Sequence, residues 1–296
     1  MASSALCGYI SANHLAEGVR QKAALNHLLN NNGYCPNVLW HIRIVLENAE
    51  VEKHELDISF FGKTESIQPT FMLCENLEDI RFYLKQTKYY HPDSPMVVNE
   101  YHGGGGTTVD VFKVLKRRNI VCLVILDSDI KFPGCEKGET ASRCVNNYQD
   151  KCTNIEVKVL PVHEAENLVP ISFMLKNTDA DGVRFLTRLK KKKYTEALVY
   201  YDVKEGISKE KTNEFKDYKE FAKTMYEKLY TRNKFEAYYR LIKKNALVFP
   251  KLNKDMLSLY NSNSVFGMND ELESYRKEIA DLVFTFLCCR GADPIN

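Results

Sequence analysis

Residues 122 to 132, CLVILDSDIKF, carry an unbroken apolar stretch into two acids one residue apart. A run such as Leu123-Val124-Ile125-Leu126 has no polar face, so it suits a central strand covered on both sides. Such a strand is typical of a parallel sheet and of little else. The chain then stops at Asp127-Ser128-Asp129. Carboxylates that close repel each other, and a divalent cation is the usual compensation. Strand alternation sends Asp127 and Asp129 to one side and Ser128 to the other.

The surrounding sequence, residues 69 to 176, alternates in type. PTFMLC reads as a strand, and Asn76 can cap a following helix with Leu77, Ile80, Tyr83 and Leu84 on one face. PMVVNEY is a second strand, and Thr107 or Thr108 can open a helix carrying Val111, Phe112 and Leu115. IVCLVIL is the third strand, residues 130 to 154 a polar loop, and IEVKVLPV the fourth strand. EAENLVPISFML opens a further helix. Strand and helix in alternation predict an α/β fold: a parallel sheet flanked by helices.

The flanks differ in character. Residues 1–68 form a mixed leader, with a helix over Leu15 to Leu29 and strands over Val38 to Leu46 and Leu56 to Phe61 joined hairpin-fashion. Residues 177–296 are mostly helical: DADGVRFLTRLKKKK, then 208 to 231, 233 to 245 and 270 to 290, with EALVYYDVKEGIS as one short strand and turn. The change near 176 is one of composition; no low-complexity linker marks it.

Ligands of open parallel sheets bind beyond the carboxyl ends of the strands. The first strand delivers Glu75 and, a helical turn later, Asp79; the third Asp127 and Asp129; the fourth His163, Glu164 and Glu166. So many acids at one rim need cations, and oxygen ligands suit Mg²⁺, Mn²⁺ or Ca²⁺ rather than zinc. His163 is read as a local hydrogen-bonding residue, and Asp79 has the plainer reading of an acid in a helix's first turn.

Other signals are weaker. HGGGG at 102 to 106 precedes a helix but lacks the lysine of a phosphate loop. RLKKKKY at 188 to 194 offers Lys190, Lys191, Lys192 and Lys193 to a nucleic-acid backbone, or simply a solvated face. Tyr200, Tyr201, Tyr230, Tyr238 and Tyr239 suit base stacking or, more commonly, a core. Formal net charge is only +2, so any nucleic-acid binding must use local patches. Cys135, Cys144 and Cys152 share the polar loop without a C-x-x-C hook and read as exposed thiols, not a zinc site. No run is apolar enough for a membrane span, and no signal peptide is evident, which makes the cytoplasm the expected compartment.

FMLCENLEDIRFY, VILDSD and VLPVHEAENLVP together resemble a TOPRIM domain. HEAENLVP is similar to the E-x-E-N stretch of the OLD (overcoming lysogenization defect) group of TOPRIM nucleases, and YYDVKEG to a later segment of that group. The resemblance implies a nuclease that cleaves DNA or RNA, tRNA included, with one or two Mg²⁺ or Mn²⁺ ions. It makes Glu75 a metal ligand or general base and Asp79 a second metal contact. Asp127 and Asp129 become ligands, Glu164 or Glu166 completes the second site, and Lys204 stabilises charge on the phosphate. Asn76 stands where the group often has glycine. The chain has no G-x-x-x-x-G-K-[ST], so the ABC-type ATPase of that group would be a separate partner chain, as in stand-alone antiphage effectors. The helical tail would suit a homodimer, although no heptad is clean. Two readings compete: a nucleotide-sugar transferase using Asp127 and Asp129 on a Mn²⁺-diphosphate, and a non-catalytic TOPRIM scaffold. A D-x-D phosphatase fits less well, because Lys131 stands where such sites carry threonine or valine.

Overall fold

The structure, a computed structural model, describes residues 8–10, 42–45, 55–57, 69–92, 96–118, 120–148, 154–230, 234–263 and 270–287. The expected helix over Leu15 to Leu29 lies outside them, as does Cys152. The chain forms two compact units, one from 1–125, 143–158 and 277–296, the other from 126–142 and 159–276.

In the leader, strands β1 (Gly8–Ile10), β2 (Ile42–Val45) and β3 (Glu55–Asp57) form a sheet in that order. The hairpin expected between the second and third does not form. β2 and β3 are parallel, pairing Arg43 with Glu55 and Val45 with Asp57. A hairpin needs a tight turn of the Asn-Gly or Asp-Gly kind, and the connecting ENAEVEKH has none.

The main sheet holds four strands: β4 (Phe71–Cys74), β5 (Asn99–His102), β6 (Cys122–Leu126) and β7 (Ile155–Val159). Their order is β5-β4-β6-β7. β4 runs parallel to both β5 and β6. Helices α1 (Leu77–Tyr90), α2 (Thr108–Lys116) and α3 (Glu139–Asn147) connect the strands in turn. The fold is thus α/β, a four-stranded parallel sheet flanked by helices. All of β4 and β6 is buried, as their unbroken apolar composition requires. α1 buries Ile80, Phe82 and Tyr83, while α2 buries Val109, Phe112 and Leu115, with Val111 only half-buried. Gly103 N–H donates to the Cys74 carbonyl and Gly104 N–H to that of Glu75, which binds the glycine run to the end of β4.

α3 corrects the loop reading of 130 to 154. It is short and largely polar, and its buried face rests on Ala141 and Cys144. Cys144 is therefore a core residue, not an exposed thiol. Burial first, then the charge of Glu75, pushes its thiol up to about 11.

Helix α10 (Glu273–Leu287) completes the first unit with its later turns. There His91 stacks on Phe284 at 4.0 Å and bonds Asp281 at 2.8 Å.

The second unit holds α4 (Ile171–Met174), α5 (Ala180–Lys191), α6 (Lys209–Glu214), α7 (Lys216–Leu229), α8 (Phe235–Leu241) and α9 (Met256–Asn261). An antiparallel pair, β8 (Ile207–Ser208) with β9 (Leu247–Phe249), lies among them. Asp179 caps α5 by accepting from Gly182 N–H at 2.8 Å. Phe185 stacks on Tyr201 at 4.8 Å and touches Phe249 at 5.6 Å, centring an aromatic core. Gly206, at φ +67, lies where a Cβ would meet the Phe249 carbonyl at 2.7 Å, so the turn into β8 needs glycine.

Two readings change here. EAENLVPISFML is not one helix: a 3₁₀ turn over Ala165–Leu168 stops before Pro170, and α4 starts after it. The apolar EALVYY is a 3₁₀ segment, Thr195–Tyr200, and only Ile207–Ser208 forms a strand. Among the described residues, no helix is long and apolar enough to cross a membrane.

Candidate functional site

The second unit brings four of the candidate acids to one junction. After β6 the chain lies alongside the segment that follows β7, and polar groups lace the two together. Leu160 N–H donates to the Leu126 carbonyl at 2.9 Å, Ser128 Oγ to Val162 at 2.5 Å and Asp129 N–H to His163 at 2.9 Å. Ala165 N–H reaches Asp127 Oδ1 at 3.0 Å. The Asp127 carboxylate thus holds the start of the turn that carries Glu164 and Glu166. Ser128, a hydroxyl between two acids, is buried.

Strand alternation does not continue through Asp127-Ser128-Asp129. Asp129 has φ +54, in the left-handed region that aspartate tolerates better than most residues. Its carboxylate rests on Gly138, where a Cβ would come within 2.2 Å of Oδ2. Gly138 N–H also donates to the Ser128 carbonyl at 2.8 Å. A glycine 9 positions downstream is therefore part of how Asp129 is placed.

Glu164 and Glu166 are buried, at 6% and 5% exposure, and such carboxylates need compensation. Lys204 supplies it. Its ammonium lies 2.9 Å from Glu164 Oε2 and 2.9 Å from Glu166 Oε1. Burial pulls the Lys204 pKa down, but the charges of Glu166 and Glu164 and hydrogen bonds to both overcome it, so the ammonium titrates well above the lysine range. Val203 N–H donates to Glu164 Oε1 at 3.1 Å.

Asn167 explains how chain segments so far apart meet. It is fully buried, its Oδ1 accepts from Glu164 N–H at 2.7 Å, and its Nδ2 donates to the Leu198 and Tyr201 carbonyls, both at 2.6 Å. Those two carbonyls are what a strand over EALVYY would have offered a neighbour. One amide side chain thus folds that segment into 3₁₀ turns and delivers Lys204 to the glutamates. In the sequence Asn167 stands out only as the last residue of E-x-E-N.

No family model matches the chain, and neither does any curated protein or solved structure.

Two residues at the junction were missed or read as bland. His163 is buried, with Nδ1 3.0 Å from the Ile130 carbonyl. Asp202, in the YYDVKEG segment, accepts from Glu205 N–H at 2.6 Å and pairs with Lys211 at 3.2 Å. Its signal was present in the sequence as an acid two residues before Lys204.

The remaining candidates are on other segments. Glu75 follows β4 in the first unit and is half-buried. Asp79, in the same unit, is buried and accepts from Asn76 N–H at 2.8 Å, so one of its oxygens closes the start of α1. Lys190 to Lys193, in the second unit, are exposed over the last turn of α5 and the residues after it. Tyr201 and Tyr239 belong to the core. Tyr226 sits between Tyr230 and Tyr238, each stacked on it at 4.9 Å.

Proposed function

We propose that the chain is a metal-dependent nuclease of TOPRIM type, close in kind to the OLD group, that cleaves phosphodiester bonds of DNA or RNA. The observation that supports this reading most is the convergence of Glu164, Glu166 and Lys204 on the turn held by Asp127. Structural ion pairs are usually made singly. Here a lysine bridges two buried glutamates next to a D-x-D turn, an arrangement suited to handling a phosphate's charge.

Asp127, Asp129, Glu164 and Glu166 offer carboxylate oxygens, the ligand type a hard divalent cation takes, although among the described residues no three of these carboxylates lie within 4.8 Å of one another, so an ion would have to draw them closer. Glu164 Oε1 accepts from Val203 N–H, and Oε2 pairs with Lys204. Mg²⁺ or Mn²⁺ held by these residues, with Glu75 added by the resemblance, would supply Lewis-acid polarisation of the scissile phosphate and an activated water.

The chain's own residues account for the rest. Asp127 and Asn167 fix the Glu164–Glu166 turn from its two sides. Lys204, about a third exposed, pairs with both glutamates and can turn its ammonium towards a departing oxygen. Asp129 is exposed in its left-handed turn. By the resemblance, Glu75 would act as ligand or general base and Asp79 as a second metal contact. Lys190 to Lys193 would contact the backbone of the nucleic acid without reading bases. Control would come from a separate ABC-type ATPase chain, in an antiphage system.

The test is incubation of purified protein with tRNA, single-stranded DNA and plasmid, with and without Mn²⁺. Metal-dependent cleavage that Glu75→Ala and Asp127→Asn each reduce by at least ~10²-fold is the expected result. No cleavage of any of the three, or cleavage indifferent to both substitutions, refutes it.

A further inference from the structure

We infer that His163, Glu164 and Asp202 form a binding site for a transition-metal divalent cation, of the Mn²⁺, Co²⁺ or Zn²⁺ class. An imidazole nitrogen of His163 and one carboxylate oxygen each from Glu164 and Asp202 lie within 4.8 Å of one another. His163 and Glu164 are buried, and Asp202 is half-buried. All three belong to the second unit.

The second observation is the state of the imidazole. A carbonyl oxygen can only accept, so His163 Nδ1, 3.0 Å from the Ile130 carbonyl, must carry the proton. In a neutral ring that fixes the tautomer and leaves the lone pair on Nε2. Nε2 has no hydrogen-bond partner among the described residues, and the residue as a whole is only 5% exposed. A neutral histidine that gives one ring nitrogen to a backbone carbonyl and keeps the other unbonded is in the state metal-binding histidines adopt.

The carboxylates are steadied in the same fashion. Asp202 accepts from Glu205 N–H and pairs with Lys211; Glu164 accepts from Val203 N–H and pairs with Lys204. These hydrogen bonds and ion pairs hold the direction of the two carboxylates, as outer partners do around metal ligands.

The donor set also selects the metal. One imidazole with two carboxylates favours the first-row transition ions over Mg²⁺ and Ca²⁺, which take all-oxygen sets. The site thus differs from the all-carboxylate set of the proposed nuclease centre. It shares only Glu164 with that set, and it stands whether or not the chain cleaves nucleic acid.

The test titrates the full-length protein with Mn²⁺, reading free Mn²⁺ by electron paramagnetic resonance, and with Co²⁺, reading visible absorption. Wild type should bind Mn²⁺ at a saturable site that a large excess of Mg²⁺ leaves occupied. Bound Co²⁺ should show d–d bands without the thiolate charge-transfer bands that cysteine ligation would give. His163→Ala and Asp202→Asn should each weaken Mn²⁺ binding by at least about a hundredfold, the upper end of what losing an outer-shell partner costs. Asp202 is half-buried, so its variant keeps the test decisive if the histidine variant fails to fold. Wild-type binding that Mg²⁺ displaces readily, thiolate bands, or undiminished binding by Asp202→Asn would each overturn the inference. Cleavage with unchanged Mn²⁺ affinity in the variants would sink this site and leave the nuclease reading intact; binding without cleavage would do the reverse.

Discussion

Two sets of lysines in the second unit face opposite circumstances. Lys190 to Lys193 crowd the end of α5, exposed and without a side-chain ion pair among the described residues. Lys204 stands alone in the sequence and lies 2.9 Å from two buried glutamates. Composition draws the eye to the run. Energetics point to the single residue, because a charge matters most where its partner has lost its water. An exposed cation keeps its hydration and is worth something only when a ligand brings its own charge.

The comparison would break first at Lys204→Met. Removing the ammonium leaves Glu164 and Glu166 buried together without a cation. The cost should be about 2–3 kcal/mol, somewhat under that of a wholly buried pair because a third of the lysine side chain meets solvent. Urea denaturation measures it, and a change below ~0.5 kcal/mol would place Lys204 with the surface lysines. Adding Glu166→Gln to Lys204→Met should return roughly 1 kcal/mol, since one stranded charge disappears. Further loss in the double variant would mean that Glu166 serves chiefly as a hydrogen-bond acceptor.

The alkaline limb sharpens the contrast. The folded-state pKa of Lys204 is raised, so its contribution is fully present below the unfolded value of about 10.4 and fades as pH climbs towards the folded one. The stability gap between wild type and Lys204→Met should therefore be flat to about pH 10 and narrow above it. Burial also raises the Tyr201 and Tyr218 hydroxyls, but both proteins share that loss, so it cancels in the difference.

The smallest effect on stability belongs to the run. Replacing Lys190 to Lys193 with glutamine should shift unfolding by less than ~0.5 kcal/mol. If the run meets a nucleic-acid backbone, the slope of log affinity against log salt should fall by about three for the four charges. An unchanged slope would assign the run to solvation alone.

What could be read from sequence was local. The apolar strands β4 and β6, Asn76 before α1, and the D-x-D after β6 all announce themselves within a few residues. α3 escaped because only Ala141 and Cys144 anchor its buried face in an otherwise polar stretch. EALVYY was misread because its fate is decided by Asn167, 31 and 34 residues away. Asp129 follows neither strand alternation nor any pattern nearby, since Gly138 makes its room. Pairings across such separations leave no periodic trace, so the part of the site built from them was visible only as motifs without roles.

The division of the chain has a consequence for its biosynthesis. The first unit ends its central portion at 158 and resumes at 277. At about 5–20 residues per second, a ribosome needs on the order of ten seconds to cross that interval. For that time His91 waits without the ring of Phe284 or the carboxylate of Asp281, and the early strands lack their last helix. Truncation near 176, where composition changes, would both cut the second unit and withhold that helix for good. A stop codon there should yield an aggregating fragment instead of a free-standing half.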